Sequence, residues 1–383
     1  MEPPAARPPK PVALPRRILM TADTVGGIWT YAIELCTGLT EAGVQVTLAT
    51  MGAPLSAAQC ADAANIRGLT IEESLFRLEW MDRAEDDVGQ AGQWLITLEE
   101  KHRPDVIHLN GYAHGALPWR APVLVVAHSC VHTWWQAVFG GSPPQLFDAY
   151  THGLRRGVAG ASMLVAPSSA YLDTFVRLHG EGAEHRVITN GRDPARFKRG
   201  PKENYFLSVG RLWDAAKNAR ALTEVAGQLP WPVRVAGDAT SPDGRTVPLE
   251  NVEVLGRCSP EMIAELLARA AVYVLPARYE PFGLSVLEAA LSGCALVLGD
   301  IATLREIWGD AAVYVDPGNA EALRDTLVRL ADDPELRREL GTRAFERAAT
   351  YSTDAMTRGY LEAYAHILAT HPGPAEQRAT VFA

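Results

Sequence analysis

Short apolar segments alternate along the chain with segments of helical periodicity. Residues 28–41 place Ile28, Ala32, Leu35, Cys36 and Leu39 at the spacing of one helix face. Apolar runs of strand length precede and follow that helix, at residues 17–21, 44–50, 105–109, 122–127 and 163–166. Fully apolar strands separated by helices predict a parallel sheet that is covered on both faces.

The same alternation starts again after a polar, proline-containing stretch at residues 193–202. Further strands are predicted at residues 205–209, 233–236, 252–255, 271–275, 295–298 and 313–315. Helices are predicted at residues 218–228, 260–270, 284–291, 320–331 and 353–370. We therefore predict an α/β fold of two doubly wound, Rossmann-like domains that face each other across a cleft. Ligands of such sheets bind outside the carboxyl ends of the strands.

Composition supports a globular chain and excludes several classes of protein. The 383 residues suffice for about two to three domains. Hydrophobic residues make up 48% and charged residues 21%, which argues against a disordered chain. The net charge of −9, without a long basic run, excludes general nucleic-acid binding but allows a local basic pocket. The five cysteines contain no CxxC and predict neither a disulfide framework nor a zinc site, so a reducing cytoplasm is expected.

The sequence also bears on membranes. No apolar run reaches the roughly 18–20 residues that span a bilayer. Residues 1–16 are rich in proline, lack the apolar region of a signal peptide and are interpreted as a flexible tail. The basic residues at this end leave peripheral contact with the inner face of a membrane as an alternative to a solvated tail.

Two candidate anion sites follow predicted strands. Gly26 and Gly27 lie between the first strand and its helix, where a backbone can approach a ligand and a helix N-terminus favours an anion. An ordinary strand–helix turn would have the same sequence. Arg211 and Lys217, in GRLWDAAKN, follow the strand at 205–209. They can bind phosphate oxygens, or they can be two surface cations on a loop.

Two carboxylates are separated by seven residues in EPFGLSVLE. Glu280 is expected in a loop that faces the cleft, and Glu288 about one turn inside the following helix. The backbone N–H groups of residues 282–284 would be free to bind hydroxyls or phosphate. A cap residue and a solvated helical glutamate would give the same pattern.

His128 follows the strand at 122–127 and is a candidate for hydrogen bonding or proton transfer. A structural histidine is the alternative. Near it, Trp134 and Trp135 offer a flat apolar face to a carbohydrate or lipid, unless they pack in the core. His108, Asn110 and His114 follow the strand at 105–109 and can line the same cleft.

In this order and context, the four groups resemble the retaining glycosyltransferases of family 4, which have the GT-B fold. The resemblance extends over residues 17–370. Its most specific part is GRLWDAAKN followed about sixty residues later by EPFGLSVLEAALSG, which contains the family's E-x7-E pattern.

The resemblance implies a role for individual positions. Gly26 and Gly27 would meet the pyrophosphate of a nucleoside-diphosphate sugar, and Arg211 and Lys217 would neutralise it as it leaves. Glu280 and the backbone of Phe282, Gly283 and Leu284 would hold the donor sugar and phosphate. The resemblance also implies that Glu288 contacts the ribose and that Arg257 and Cys258 contact the base. His128 would contact the transferred sugar. The implied catalytic residues are His128, Arg211, Lys217 and Glu280, and the implied acceptor side is formed by His108, Asn110, His132 and Trp134.

The family also implies a reaction and a domain plan. A sugar would pass with retention to a hydroxyl of a saccharide, lipid-linked or small-molecule acceptor, in surface polysaccharide or glycoconjugate synthesis. A UDP-sugar is the first expectation and GDP-mannose the second. No cofactor or metal is expected, because cations would stabilise the leaving diphosphate and the chain has no Asp-x-Asp. The expected parts are an acceptor domain at 17–195, a donor domain at 196–352, and a segment at 353–383 whose helix returns to the first domain.

Two alternatives stay within the same fold. A nucleotide-sugar 2-epimerase would interconvert donors without an acceptor, and GRLWDAAKN argues against it. A binding module without activity is the other, and the presence of Glu280, Glu288, Arg211, Lys217 and His128 argues against that.

Overall fold

The structure is a computed structural model that describes residues 14–241 and 244–370. Most of the tail predicted at 1–16, and residues 371–383, lie outside the described residues. The first sheet has the parallel order β3-β2-β1-β4-β5-β6-β7. Its strands are β1 (Arg17–Asp23), β2 (Gln45–Met51), β3 (Leu69–Glu73), β4 (Val106–Leu109), β5 (Val123–Val126), β6 (Met163–Ala166) and β7 (Glu184–Val187).

The second sheet is also parallel and has the order β10-β9-β8-β11-β12-β13. Its strands are β8 (Glu203–Val209), β9 (Val233–Ala236), β10 (Glu253–Gly256), β11 (Ala270–Leu275), β12 (Ala295–Gly299) and β13 (Val313–Val315). All six residues of β11 are buried, as expected for a central strand covered on both faces.

Helices cover both sheets. Those of the first half are α1 (Gly27–Glu41), α2 (Ala57–Ala64), α3 (Glu85–His102), α4 (Val131–Phe139), α5 (Asp148–Gly160) and α6 (Ser169–His179). Those of the second half are α7 (Ala219–Ala226), α8 (Pro260–Arg269), α9 (Leu284–Leu291), α10 (Ala302–Trp308), α11 (Ala320–Asp332), α12 (Pro334–Ala348) and α13 (Thr353–Thr370). Within the described ranges, every helix is too short or too polar to cross a bilayer.

The two Rossmann-like domains confirm the predicted GT-B fold. In each sheet the strand order reverses at the first strand of the domain, at the β1–β4 and β8–β11 neighbours. Such switch points open a crevice at the carboxyl ends of the strands. The loops after β1, β5, β8 and β11 therefore converge on the space between the domains.

The last helix, α13, leaves the second domain and packs on the first. Met356, Tyr360, Tyr364 and Ile367 belong to the same buried core as α1 and β1. At Gly38 of α1 an added methyl group would lie 2.0 Å from Thr357 Oγ1, so the two helices approach closely. The predicted return of this helix to the first domain is thus present.

Sequence analysis missed two edge strands and several helices. β3 and β7 lie at the two edges of the first sheet and are partly exposed, so they lack the apolar runs that mark central strands. Helices α2 to α6 of the first domain and α10 and α12 of the second were not predicted. α12 is rich in charge and buries only four of its fifteen residues, Leu340, Gly341, Ala344 and Ala348. The predicted strands coincide with observed strands apart from residues at their ends.

Candidate functional site

A cavity of about 580 Å³ lies between the two domains, at the carboxyl ends of both sheets. Loops of both domains line it, and they carry most of the residues that the sequence singled out. The predicted lining residues found there are Gly26, Gly27, Asn110, His114, His128, Trp134, Trp135, Arg211, Lys217, Glu280, Phe282, Gly283, Leu284 and Glu288.

Two helix N-termini from different domains meet in this cavity. α1 begins after Gly26, whose φ is 95°, and α9 begins after Gly283, whose φ is 92°. Neither helix has a side-chain cap. A methyl group at Gly27 would lie 3.7 Å from Leu284 Cδ1, so the two ends face each other closely. Uncapped N–H groups and the positive ends of both helix dipoles make this a site for an anion.

Arg211 and Lys217 add positive charge beside these helix ends. A methyl group at Gly26 would lie 3.4 Å from Arg211 Nη1, which puts the guanidinium next to the first glycine. Arg211 Nη2 donates to Asp214 Oδ2 at 2.8 Å. Burial alone would raise the pKa of Asp214, but Arg211 and Lys217 hold it below its usual value. Lys217 forms an ion pair with Glu280, so the two predicted residues are direct neighbours.

Glu288 lies at the cavity and is connected to the boundary between the domains. Its Oε1 is 3.0 Å from Nε of the buried Arg192. The other side of Arg192 pairs with Glu34 of α1. Burial raises the pKa of Glu288, and the charge of Arg192 opposes this increase. Arg192 was not predicted, because nothing in its local sequence indicates that it meets two carboxylates.

His128 reaches the cavity and is held by a polar chain behind it. Its Nε2 donates to Asn110 Oδ1 at 2.8 Å, and its ring packs edge-on against Tyr31. Asn110 is fixed in turn, because its Nδ2 donates to the Thr21 carbonyl at 2.6 Å. Burial, with a smaller effect of His108, lowers the pKa of His128 to about 3. The imidazole is therefore neutral at pH 7 and can serve as a hydrogen-bonding group.

Several predicted residues lie outside the cavity lining. His108 is fully buried in the core, with Nδ1 2.6 Å from the Tyr364 hydroxyl of α13, so it cannot touch an acceptor directly. His132 is not among the residues that line the cavity, and its ring packs against those of Tyr150 and His179. Arg257 is exposed and pairs with Asp238. Cys258, beside it, also lies outside the lining, so a contact of this loop with a base stays a prediction.

Besides Asp214, two carboxylates of the first domain that line the cavity were missed by sequence analysis. Asp23, at the end of β1, accepts a hydrogen bond from the Val25 backbone N–H at 2.7 Å. Burial raises its pKa to about 7, although that N–H and the charge of Arg211 act in the opposite direction. Glu79 accepts hydrogen bonds from the backbone N–H groups of Tyr112 and Ala113. Burial raises its pKa as well.

Direct hydrogen bonds join the domains around the cavity. Trp134 Nε1 of α4 donates to Asp214 Oδ1 at 2.9 Å, so this predicted acceptor-side residue contacts the loop of Arg211. The Thr133 hydroxyl lies 2.7 Å from that of Tyr279. Ser168 donates to the carbonyl of Pro281 at 2.9 Å. These contacts hold the two domains together beside the cavity.

Two family profiles match consecutive parts of the chain. The profile described as Glycosyltransferase Family 4 matches residues 25–196, and that described as Glycosyl transferases group 1 matches residues 191–347. The chain is a glycosyltransferase family 4-like protein. The boundary between the two matches falls close to Arg192, where the structure passes from the first sheet to the second.

Curated relatives of this family 4-like chain act on different substrates. A glycogen synthase of Mycobacterium tuberculosis (strain CDC 1551 / Oshkosh) is 30% identical over 259 residues, which cover 61% of this chain and 61% of that enzyme. The chain thus matches about three fifths of the length of that synthase. A D-inositol 3-phosphate glycosyltransferase of Kineococcus radiotolerans is 26% identical, and the alignment covers 88% of this chain and 90% of the relative.

Solved structures share the fold at low sequence identity. The sucrose-phosphate synthase of Thermosynechococcus elongatus superposes with a TM-score of 0.76 at 17% identity, over 93% of this chain and 100% of the other. HepE of Anabaena, solved in complex with UDP and glucose, has a TM-score of 0.72 at 16% identity, over 92% and 100% of the two chains. These similarities establish the GT-B architecture.

Proposed function

We propose that the protein transfers a sugar from a nucleoside-diphosphate sugar to an acceptor hydroxyl, with retention at the anomeric carbon. The observation that carries this proposal is the meeting of two uncapped helix N-termini with Arg211 and Lys217 in the cavity between the domains. A diphosphate is the anion whose size and charge suit four such groups. The similarity to glycosyltransferases supports the same reading.

In the proposed reaction, the bond between the anomeric carbon and the diphosphate oxygen breaks, and a bond to the acceptor oxygen forms. The acceptor proton passes to a diphosphate oxygen. Negative charge grows on the leaving group, where Arg211, Lys217 and the helix ends stabilise it more strongly than in the ground state. This makes the transfer independent of a catalytic metal ion.

The remaining residues bind and orient the donor in this proposal. Glu280 accepts hydrogen bonds from the sugar hydroxyls, and Glu288 accepts them from the ribose. Lys217 now pairs with Glu280, so the bound donor would compete for that lysine and redirect it to phosphate. Neutral His128 would lie beside the transferred sugar, supported by Asn110.

The donor proposed first is a UDP-sugar, and the second is GDP-mannose. A relative solved with UDP and glucose supports the first, and an O-antigen chain mannosyltransferase of Escherichia coli, 27% identical over 175 residues, supports the second. On the acceptor side the cavity is lined by aromatic residues, Trp80, Tyr112, Trp134, Trp135, Phe147 and Tyr150. Flat apolar rings suit the faces of a saccharide or another small acceptor.

The test is a mass-spectrometric screen of the full chain against UDP- and GDP-sugars, with and without EDTA, together with calorimetric binding of UDP and GDP. We expect one nucleotide to bind and one donor to release nucleoside diphosphate slowly in both conditions. Lys217→Ala should lower that release by about 100- to 1000-fold, because it removes one cation from the leaving group.

A matched control is Lys101→Ala, which removes an exposed lysine that pairs with Glu72 on the first domain. It should leave the release unchanged. Formation of a C2 epimer would instead favour the epimerase. Binding of neither nucleotide, or full release by Lys217→Ala, would contradict the proposed chemistry.

A further inference from the structure

Three potential metal ligands lie together beside the cavity, two of them close in sequence and the third 47 residues further along the chain. Cys130 is the N-cap of α4, His132 lies in the first turn of that helix, and His179 is the last residue of α6. The Cys130 sulfur and one ring nitrogen of each histidine all lie within 4.8 Å of one another. We call Cys130, His132 and His179 the CHH cluster. It lies directly after His128, on the side of the first domain that faces away from α1.

The hydrogen bonds of His132 leave one nitrogen lone pair without a partner. The Thr151 hydroxyl has a single proton, which it donates to the Phe147 carbonyl at 2.7 Å. Its oxygen therefore accepts from His132 Nε2 at 3.1 Å. This fixes the proton on Nε2, so that Nδ1 carries a free lone pair. Nδ1 is buried, and it has no hydrogen-bond partner among the described residues.

The second histidine has a similar deficit. Nδ1 of His179 is also buried without a hydrogen-bond partner in the described part of the chain. Two orphaned ring nitrogens at one place are unusual, because buried polar atoms nearly always have partners. An ion that accepts lone pairs would satisfy Nδ1 of His132. His179 would bind the same ion through Nε2, the nitrogen that faces Cys130 Sγ, and its Nδ1 would keep the proton.

The spacing of Cys130 and His179 fits one small cation. Cys130 Sγ lies 3.6 Å from His179 Nε2. A tetrahedral zinc ion has bonds of about 2.3 Å to sulfur and about 2.0–2.1 Å to nitrogen, which separate the two ligand atoms by about 3.6 Å. Sulfur and imidazole nitrogen are also the ligand types that zinc prefers.

We propose that Cys130, His132 and His179 bind one zinc ion, with the fourth position left for water. Cys130 also lines the cavity, so the ion would lie at its border and would hold α4 and α6 in place there. It would tie the N-terminus of α4 to the C-terminus of α6, immediately after the loop that carries His128. Thr133, the next residue of α4, contacts Tyr279 of the other domain, so the ion would also steady this bridge.

The charge of Arg155 acts on both histidines of the CHH cluster. This charge is positive and opposes a bound cation, so binding depends on the thiolate of Cys130 to offset it. Formation of that thiolate on binding would release the thiol proton.

The test uses the full chain, first analysed for zinc content and then stripped with a chelator and titrated with Co²⁺. We expect one equivalent of Co²⁺ to bind, with the near-ultraviolet charge-transfer band of a cobalt–thiolate bond, and zinc to displace it. Cys130→Ser should abolish the band. His179→Gln should weaken the affinity for Co²⁺ by at least about 100-fold. Zinc should raise the Tm of the wild type more than that of either variant.

The matched controls are Cys60→Ser and His185→Gln, which change an exposed cysteine and an exposed histidine. Both should bind Co²⁺ like the wild type, and circular dichroism should show that all four variants are folded. Absence of bound Co²⁺ or of a thiolate band in the wild type would overturn the proposal, as would a band that survives in Cys130→Ser. The cluster would then be a hydrogen-bonded pair, with the thiol donating to His179.

Discussion

At the scale of single residues, the cavity holds acids whose protonation is set by burial. Asp23 is the clearest case, because burial raises its pKa to about 7 from an ordinary value of 3.8. Between these pH values the unfolded chain has lost the proton that the folded chain still holds. The contribution of this group to stability is therefore complete below about pH 4 and is lost as the pH rises through 7.

Asp23→Asn should remove this loss, because the amide keeps an oxygen for the Val25 N–H and does not ionise. The free energy of unfolding of the variant, relative to that of the wild type, should be higher at pH 8 than at pH 5 by roughly 1–2 kcal/mol. This is less than the full pKa shift implies, because the carboxyl partly faces the cavity. Urea unfolding at both pH values measures this difference. An equal effect at both would show that Asp23 does not titrate in this range.

At this scale the sequence predicts those site residues that belong to a recognisable local motif. Glu280, Glu288, Arg211 and Lys217 follow strands in recognisable patterns, and all four line the cavity. Asp23 and Glu79 escape prediction, because groups distant in the sequence surround them. Arg211 lies near Asp23, and the backbone of Tyr112 and Ala113 binds Glu79. The role expected for His108 fails for the same reason, since its partner Tyr364 lies 256 residues further along the chain.

At the scale of elements, the contact of α1 with α13 attaches the last helix to the first domain. The glycine at position 38 lets the two helices touch through backbone and Thr357. Hydrophobic periodicity predicts both helices and their apolar faces. It does not predict that they pack on each other, because pairing depends on the path of the chain between them.

Gly38→Ala should destabilise the protein by about 1–3 kcal/mol, because the new methyl group overlaps Thr357 and rotation of that side chain does not clear its Cβ at 3.0 Å. The matched control is Gly89→Ala in α3, where an added methyl group meets nothing within 4 Å. That change should stabilise by up to about 1 kcal/mol, as usual for alanine in a helix. Urea midpoints measure both, and similar values for the two variants would contradict the close approach.

At the scale of the whole molecule, one buried ion network joins four segments. Glu34 of α1 pairs with Arg192, which also contacts Glu288 of α9. The Glu34 carboxylate also accepts hydrogen bonds from the Asp193 backbone N–H and from the Thr353 hydroxyl at the start of α13, both at 2.8 Å. Both domains, the segment between them and the returning helix therefore meet at the Glu34–Arg192 pair.

Glu34→Ala should destabilise the folded chain by about 3–5 kcal/mol, since it leaves the buried Arg192 with half of its compensation. Glu41→Ala, at the exposed end of the same helix, is the control and should change stability by less than about 0.5 kcal/mol. Chemical unfolding followed by tryptophan fluorescence measures both variants. Equal midpoints for Glu34→Ala and the control would show that the network adds little.

The return of α13 has a consequence for synthesis on the ribosome. The core of the first domain needs Tyr360 and Tyr364, which are translated about 175 residues after that domain's last strand. At 5–20 residues per second, the apolar face of α1 stays uncovered for roughly 9–35 s. During this interval the nascent chain exposes an apolar surface that a chaperone can bind. A chain whose translation ends inside the second domain lacks α13, so the core of its first domain stays exposed.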